Sequence, residues 1–296
     1  MRKMPSVLTI PLLVVGCVGA GGGGNPSGST APPTPPSTAL TYSVETGSDK
    51  LILRLSIDGG FVAPGFLLTR MPIVALYGDG RVIVGGPTVE IYPGPLLPNL
   101  RQLHVTPAEI QRILAAADAD GLLGLDASYM ATNIADASTS TFTTIVDGKT
   151  HSIGAYALGE GGTIDDAAAT AARAKLLDFS NKITDLSKFL GRTLSDAEAY
   201  APTEMRVFVG PVPGADPNFP NPQVVNWPLT VDPKSGRATI NPGLSCLAVG
   251  GADLTAFLKA ATGANVLTIW STPSGRFSVS VRPLYPEESG CFGMVS

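Results

Sequence analysis

Hydrophobic residues recur along the chain with two spacings, and the shorter spacing predicts strands. Residues 51–57 combine alternation with a continuous apolar run, which predicts a largely buried strand. Apolar runs flank Asp79-Gly80 and again Asp147-Gly148, and an Asp-Gly pair adopts the positive φ angles of a tight hairpin turn readily. The predicted strands and hairpins are residues 51–57, 73–84, 141–153, 244–249 and 266–281.

The longer spacing predicts three helices. Thr106-Pro107-Ala108-Glu109 forms a capping box with proline at the first helical position, and Gly121 ends the apolar stripe that follows. A longer stripe runs from caps at Thr163 and Asp166 to Gly191. The third helix is predicted around Leu254, Phe257, Leu258 and Ala261.

These elements predict an α+β fold of antiparallel sheets, built from β-hairpins, with about three helices packed on them. Strands, a helix and a hairpin occur before Gly191 and again after Met205, so two similar halves are one interpretation of the order. The proline-rich stretch at residues 92–98 predicts an irregular loop, because proline lacks the amide donor. Prolines and glycines are frequent again between Gly210 and Pro222, which is either a long loop or the start of a second domain.

The first residues show a pattern of export. Arg2 and Lys3 precede a short apolar run, and Leu12-Leu13-Val14-Val15-Gly16-Cys17 resembles the lipobox of bacterial lipoproteins. In that motif the cysteine is lipidated, for example with palmitate, and becomes the first residue of the mature protein. The alternatives are an ordinary cleaved secretory signal and a cysteine that happens to lie in an apolar segment.

Composition changes sharply between Cys17 and residue 41, where glycine, proline, serine and threonine leave almost nothing to bury. We predict a disordered tether there, with O-linked sugars on its threonines and serines as an alternative to plain linker. The expected organisation is a signal peptide (1–16), lipid anchor and tether (17–41), a first α+β domain or half (42–200) and a second (201–296).

Charge and cysteine content restrict partners and location. The chain has 20 basic and 24 acidic residues, and loss of Arg2 and Lys3 makes it more acidic, which argues against nucleic acid as a partner. The expected location is the extracytoplasmic face of the cell membrane, with the lipid on Cys17 as the membrane contact. Disulfides persist there, so Cys246 and Cys291 are predicted to pair, the alternative being two buried thiols.

Residues that could carry chemistry are few. His104 and His151 have no second histidine or cysteine at metal-ligand spacing, and no nucleophile motif is found, so no catalytic, metal or cofactor residue is assigned. The carboxylates near Asp118 and Asp120, and near Glu160, Asp165 and Asp166, flank helix ends, where acids have a structural explanation; glycosidase or calcium chemistry is the alternative.

Two functions from different classes follow. The first is a non-catalytic binding or structural module of the cell envelope, whose partner is a protein or a glycan. Exposed proline-rich loops beside Tyr92 or Trp227 are its best binding positions, although for Trp227 and Trp270 a core position is favoured over a sugar-stacking platform. The second is an envelope hydrolase, which would require a pocket with two or more convergent acids.

The mature chain also resembles a family of uncharacterised exported lipoproteins of high-GC Gram-positive bacteria. The resemblance is carried by Ile57-Asp58-Gly59-Gly60-Phe61, Leu76-Tyr77-Gly78-Asp79-Gly80-Arg81, Trp227-Pro228-Leu229, and the segment from Arg282-Pro283-Leu284-Tyr285-Pro286-Glu287 to Cys291. Tyr285 stands where the family pattern has Leu. The resemblance implies export and lipidation, and it implies no particular activity.

Overall fold

The hairpins predicted around Asp79-Gly80 and Asp147-Gly148 are present, and both belong to one eight-stranded sheet. At the second turn both residues have positive φ, 52° and 70°, as the Asp-Gly pair predicts. The structure, a computed structural model, describes residues 41–194, 197–214, 217 and 221–291. The predicted signal peptide, Cys17 and the tether up to residue 40 lie outside the described residues.

The first sheet is built around its longest apolar strand, as residues 51–57 predict. It has the order β5-β7-β6-β1-β2-β3-β4-β8 and is antiparallel except where β5 runs parallel to β7. Its strands are β1 (Leu51–Gly59), β2 (Val74–Tyr77), β3 (Arg81–Gly85), β4 (Leu100–His104), β5 (Ala127–Tyr129), β6 (Ser138–Val146), β7 (Lys149–Tyr156) and β8 (Glu198–Ala199).

Helices cover one face of this sheet. The predicted capping box is present, because Thr106 accepts from the Glu109 amide while Glu109 accepts from the Thr106 amide. In the core, the rings of Phe142 and Phe179 meet edge to face at 6.1 Å. The helices on this face are α2 (Pro107–Ala119), α3 (Ala167–Thr184) and α4 (Leu186–Leu190), whereas α1 (Pro64–Thr69) packs against the second sheet.

Two details of the long helix differ from prediction. Asp166 alone caps α3, through the amides of Ala168 and Ala169, because the backbone of Thr163 pairs with Thr132 instead. The helix also breaks at Asp185, whose side chain accepts from the Lys188 amide and starts α4. Gly191 then ends α4 in the left-handed conformation, φ 71°.

The second sheet has six strands in the order β10-β13-β14-β9-β12-β11, with α5 (Gly251–Ala261) on one face. The predicted strand from Val266 begins three residues later, because the Asn265 side chain accepts from the Leu267 amide and holds a turn there. The strands are β9 (Glu204–Gly210), β10 (Val224–Asn226), β11 (Arg237–Ala238), β12 (Ser245–Gly250), β13 (Ile269–Thr272) and β14 (Gly275–Pro283).

The faces away from the helices are covered by α1 and by the segment after β14. On the first sheet Ala75 and Tyr77 point to the side opposite Val74 and Leu76, and they pack with Tyr285. On the second sheet Phe208 packs with Leu68 of α1 and with the cystine. The α+β class predicted from sequence is therefore present, with a C-terminal segment packed on a sheet face.

The proline-rich loop at residues 92–98 joins the two cores. It leaves the first sheet after β3, and Leu96 is buried among residues of the second core. The Leu96 amide donates to Ala264 O at 3.0 Å, and the Val266 amide donates to Gly94 O at 3.0 Å. The loop is irregular, as its prolines predict, and it is anchored at both of these points.

The two sheets share a middle and differ outside it. In each, the first strand in chain order is internal: β1 lies between β2 and β6, and β9 lies between β12 and β14. The hairpin strand next to β1 is the first of its hairpin, whereas the one next to β9 is the second, β14. The division of the folded part into domains or halves 42–200 and 201–296 stays a prediction.

Candidate functional site

The histidines and acids singled out from sequence lie apart and hold local structure. His151 lies in β7, with Nδ1 2.7 Å from Gly124 O, and His104 ends β4 with its side chain exposed. Asp118 accepts from Tyr42 Oη at 2.9 Å, and Asp120 pairs with Lys182 Nζ at 2.7 Å. Among the described residues, no group of three or more His, Cys, Asp or Glu could hold a metal ion.

The carboxylates near α3 have structural partners as well. Glu160 accepts from Ser138 Oγ at 2.6 Å, and Asp166 caps α3. Asp165 is exposed one residue before that cap. Glu160 and Asp166 therefore each have a local structural role.

The disulfide predicted between Cys246 and Cys291 is present. The Cα atoms are 6.0 Å apart, and Cys246 lies buried in β12. The bond fastens the C-terminal segment to the second sheet. Cys17 lies outside the described residues.

A polar network between the two sheets brings together charged residues that the sequence analysis did not single out. Arg54 of β1 forms an ion pair with Glu287, which also accepts from Tyr77 Oη at 2.7 Å. Arg282 donates two hydrogen bonds to Glu288, at 2.8 and 2.7 Å. Glu287 and Glu288 lie in the segment after β14, and their partners Arg54 and Arg282 lie in β1 and β14. The network therefore joins this segment to both sheets.

The pKa shifts in the network agree with that structural role. Burial raises the pKa of Tyr200 to about 12 and raises the pKa of Tyr77 further, so both phenols stay protonated. Burial also opposes ionisation of Glu288, but the hydrogen bonds and charge of Arg282 outweigh it and lower the pKa of that carboxyl. Glu288 is therefore held as a carboxylate by Arg282.

A sequence signal for this network does exist. Arg54, Arg206 and Arg282 each stand alone inside an apolar strand segment, as in Leu53-Arg54-Leu55 and Met205-Arg206-Val207. A charge in a buried strand needs a partner, because burying it unpaired is costly. The lone arginines could have indicated an ion-pair cluster, although not which acids complete it.

The best candidate for a binding site is a cleft beside Trp227 at one edge of the second sheet. The loop 226–233 forms one wall and the β13–β14 turn, residues 271–274, forms the other, and the cleft has a volume of about 640 Å³. Both tryptophans were candidates from sequence, and the structure separates them. Trp270 is fully buried in the core, whereas Trp227 is half-buried and lines the Trp227 cleft.

Trp227 is held on several sides. Its ring N–H donates to Val231 O at 2.8 Å, and its backbone amide donates to Ser271 O at 2.9 Å. Its ring meets Trp270 and Phe257 edge to face, with centroids 6.0 and 5.9 Å apart. These contacts fix the indole before any ligand arrives.

Two further clefts differ from the Trp227 cleft in chemistry. One, of about 400 Å³, lies between β2, β3 and α4, and its walls are mostly apolar, with Asp185 at its edge. The other, of about 340 Å³, lies beside α3 and contains Asp120 and Lys175. Each of the three clefts, including that of Trp227 with Asp232, contains a single carboxylate.

An apolar surface also lies at the start of α1. Phe61, Phe66 and Leu67 expose 90, 52 and 44% of their surface, and the Arg70 guanidinium lies 5.2 Å from the Phe66 ring centroid. Tyr92, the other binding position suggested by sequence, is exposed in the loop that joins the two cores. It does not line any of the three clefts.

No family model, curated protein sequence or solved structure matches the chain. Within the described ranges, none of the helices has the length and apolar character needed to cross a bilayer.

Proposed function

We propose that this protein is a lipid-anchored, non-catalytic binding module at the extracytoplasmic face of the cell membrane. The observation that supports it most directly is the use of its three cysteines. Cys246 and Cys291 are bonded to each other, and the disulfide fits an exported protein. Cys17 follows Leu12-Leu13-Val14-Val15-Gly16, where a lipoprotein carries its lipidated cysteine.

A binding role is favoured over hydrolysis by the clefts. Hydrolysis of a glycosidic bond by acid and base uses two carboxylates about 5–10 Å apart. Each of the three clefts described above contains one carboxylate. The Trp227 cleft instead combines a fixed aromatic ring with a few polar groups, which is the make-up of a ligand site.

The resemblance to exported lipoproteins of high-GC Gram-positive bacteria supports the same assignment. The positions that carry it include Tyr77, Trp227 and the segment from Arg282 to Cys291. In the fold these positions join the sheets or line the cleft, so they have physical reasons for their residue types. The proposed partner is a protein or glycan of the envelope, and not a nucleic acid.

The lipid anchor is tested by replacing Cys17. Wild type and Cys17→Ala are expressed in an actinobacterial host, and membranes are extracted into a detergent that separates into two phases. We expect wild type in the detergent phase and Cys17→Ala as an unprocessed precursor or in the aqueous phase, because the thiol is the only attachment point.

Cys291→Ala is the matched control, since it removes a cysteine and leaves Cys17 in place. It should partition with wild type. Equal detergent partitioning of processed Cys17→Ala and wild type would show that the lipoprotein assignment is wrong.

A further inference from the structure

We propose that the Trp227 cleft binds a neutral, hydroxyl-rich ligand, namely the sugar residues of an envelope glycan. The inference deepens the proposed function and rests on it only for the location of the glycan. It follows from three properties of the cleft: a rigid aromatic wall, a set of hydrogen-bond acceptors and the absence of a positive charge among its lining residues.

The aromatic wall is the first property. Trp227 cannot rotate freely, because Val231 O holds its ring nitrogen and Trp270 and Phe257 hold its edges. A ring that is already oriented loses little entropy when a ligand packs on it. The C–H face of a sugar ring is a suitable partner for such an apolar aromatic surface.

The acceptors are the second property. Asp232 Oδ1 accepts from the Lys234 amide at 2.8 Å, whereas Oδ2 is 3.5 Å from Ser274 Oγ, beyond the usual range for a hydroxyl donor. Asp232 is exposed at the cleft, so this oxygen is available to a ligand hydroxyl. Asn226 and Ser271 stand on opposite walls of the cleft, and Ser271 Oγ donates to Asn226 Oδ1 at 3.1 Å.

Charge is the third property. Asp232 is the one charged residue that lines the cleft. The Lys234 ammonium lies over the Phe277 ring, 5.7 Å from its centroid, and donates weakly to Ser274 O at 3.4 Å. A phosphate or other anion would meet the Asp232 carboxylate without a lining cation, and a purely apolar ligand would leave the polar groups unpaired. A sugar can pack its C–H face on the Trp227 ring and pair its hydroxyls with the polar groups of the cleft.

The test measures binding of labelled neutral oligosaccharides, released from purified actinobacterial cell envelope, to the detergent-solubilised full chain by fluorescence anisotropy. Wild type should bind a subset of them. Trp227→Leu should weaken binding about tenfold or more, which corresponds to about 1.4 kcal/mol. Asp232→Asn should weaken it severalfold, because an amide accepts fewer hydrogen bonds than a carboxylate.

Two controls separate a lost site from a lost fold. Asp185→Asn makes the same chemical change in the apolar cleft and should leave binding unchanged, since asparagine also caps a helix. Far-ultraviolet circular dichroism together with urea denaturation reports whether Trp227→Leu is folded. Because Asp232 is exposed, Asp232→Asn tests the site even if Trp227→Leu does not fold.

The proposal is overturned if wild type binds none of the oligosaccharides. It is also overturned if Asp232→Asn binds as wild type does and Trp227→Leu either binds as wild type does or is not folded. It is also overturned if a peptide library prepared from envelope proteins binds this cleft and the oligosaccharides do not. These results leave the anchoring through Cys17 untouched, because binding is measured on solubilised protein.

Discussion

Tyr77 donates a 2.7 Å hydrogen bond to Glu287, although 210 residues separate them in the chain. Tyr77 is fully buried in β2, and Glu287 also pairs with Arg54 of β1. One carboxylate near the C-terminus therefore connects two neighbouring strands of the first sheet. The stability of that sheet should depend on a residue outside it.

Replacing Glu287 tests this dependence. We expect Glu287→Ala to lower the free energy of unfolding by about 1–3 kcal/mol, because it leaves the Tyr77 hydroxyl and the Arg54 guanidinium without their acceptor. Urea denaturation of the full chain measures the change. Glu45→Ala, which removes an exposed acid paired with Lys50, should stay within about 0.5 kcal/mol of wild type. Equal losses in the two variants would contradict the structural role of Glu287.

The disulfide should stabilise the fold measurably. It closes a loop with a sequence separation of 45, and bonds of this kind contribute about 2–4 kcal/mol. Cys291→Ala should therefore lower the melting temperature. A reducing agent should lower that of wild type and leave the variant unchanged. If alkylation before reduction labels both Cys246 and Cys291 in protein from the cell envelope, the bond does not form there.

Stability should fall in acid through Glu109. Hydrogen bonds from Arg192 and from the Thr106 backbone lower the pKa of this carboxyl from 4.5 to about 2. A folded pKa below the unfolded one adds stability above pH 4.5, and that stability is lost as the pH falls from about 4.5 towards 2. Glu288, whose pKa is also lowered, acts in the same direction.

Urea titrations at several pH values between 3 and 6 would measure this slope. Glu109→Gln should be less stable than wild type at pH 6 and should approach it at pH 3. Parallel curves for wild type and Glu109→Gln would show that the ion pair with Arg192 does not favour the charged form.

Arg173 is a buried cation that donates hydrogen bonds to backbone carbonyls. Its guanidinium donates to the carbonyls of Tyr129, Tyr156 and Ala157 at 2.7–3.1 Å, and burial lowers its pKa. Arg173→Met should cost about 1.5–3 kcal/mol of unfolding free energy, because these carbonyls lose a charged donor. Lys175→Met, on the exposed side of the same helix, is the control and should change little. Thermal denaturation of both variants measures the two changes. Equal losses in Arg173→Met and Lys175→Met would contradict the role given to Arg173.

Local sequence signals predicted local structure well. The capping box at Thr106 and the Asp-Gly hairpins each depend on residues a few positions apart, and each is found where predicted. The break in the long helix at Asp185 was missed, because its apolar stripe continues through both pieces. There the capping aspartate overrides the periodicity.

Distant pairings were harder to predict. Strand β9 forms the centre of the second sheet, yet its neighbours β12 and β14 come much later in the chain. The Trp227 cleft was hard to predict for the same reason. Trp227 is conspicuous in the sequence, but Asp232 and Ser274 become part of one site only because the β13–β14 turn folds against the loop. Periodicity carries no information about which strands meet.

The segment that covers one face of the first sheet is synthesised after all the strands of that sheet. Tyr285 leaves the ribosome long after the residues on which it packs, which are Ala75, Tyr77, Ile83 and Leu100. Until then the chain can form the hairpins of this sheet but not cover their apolar face, and uncovered strands invite association with other chains. A chain truncated before residue 284 should therefore be retained by chaperones or aggregate, however well its N-terminal hairpins form.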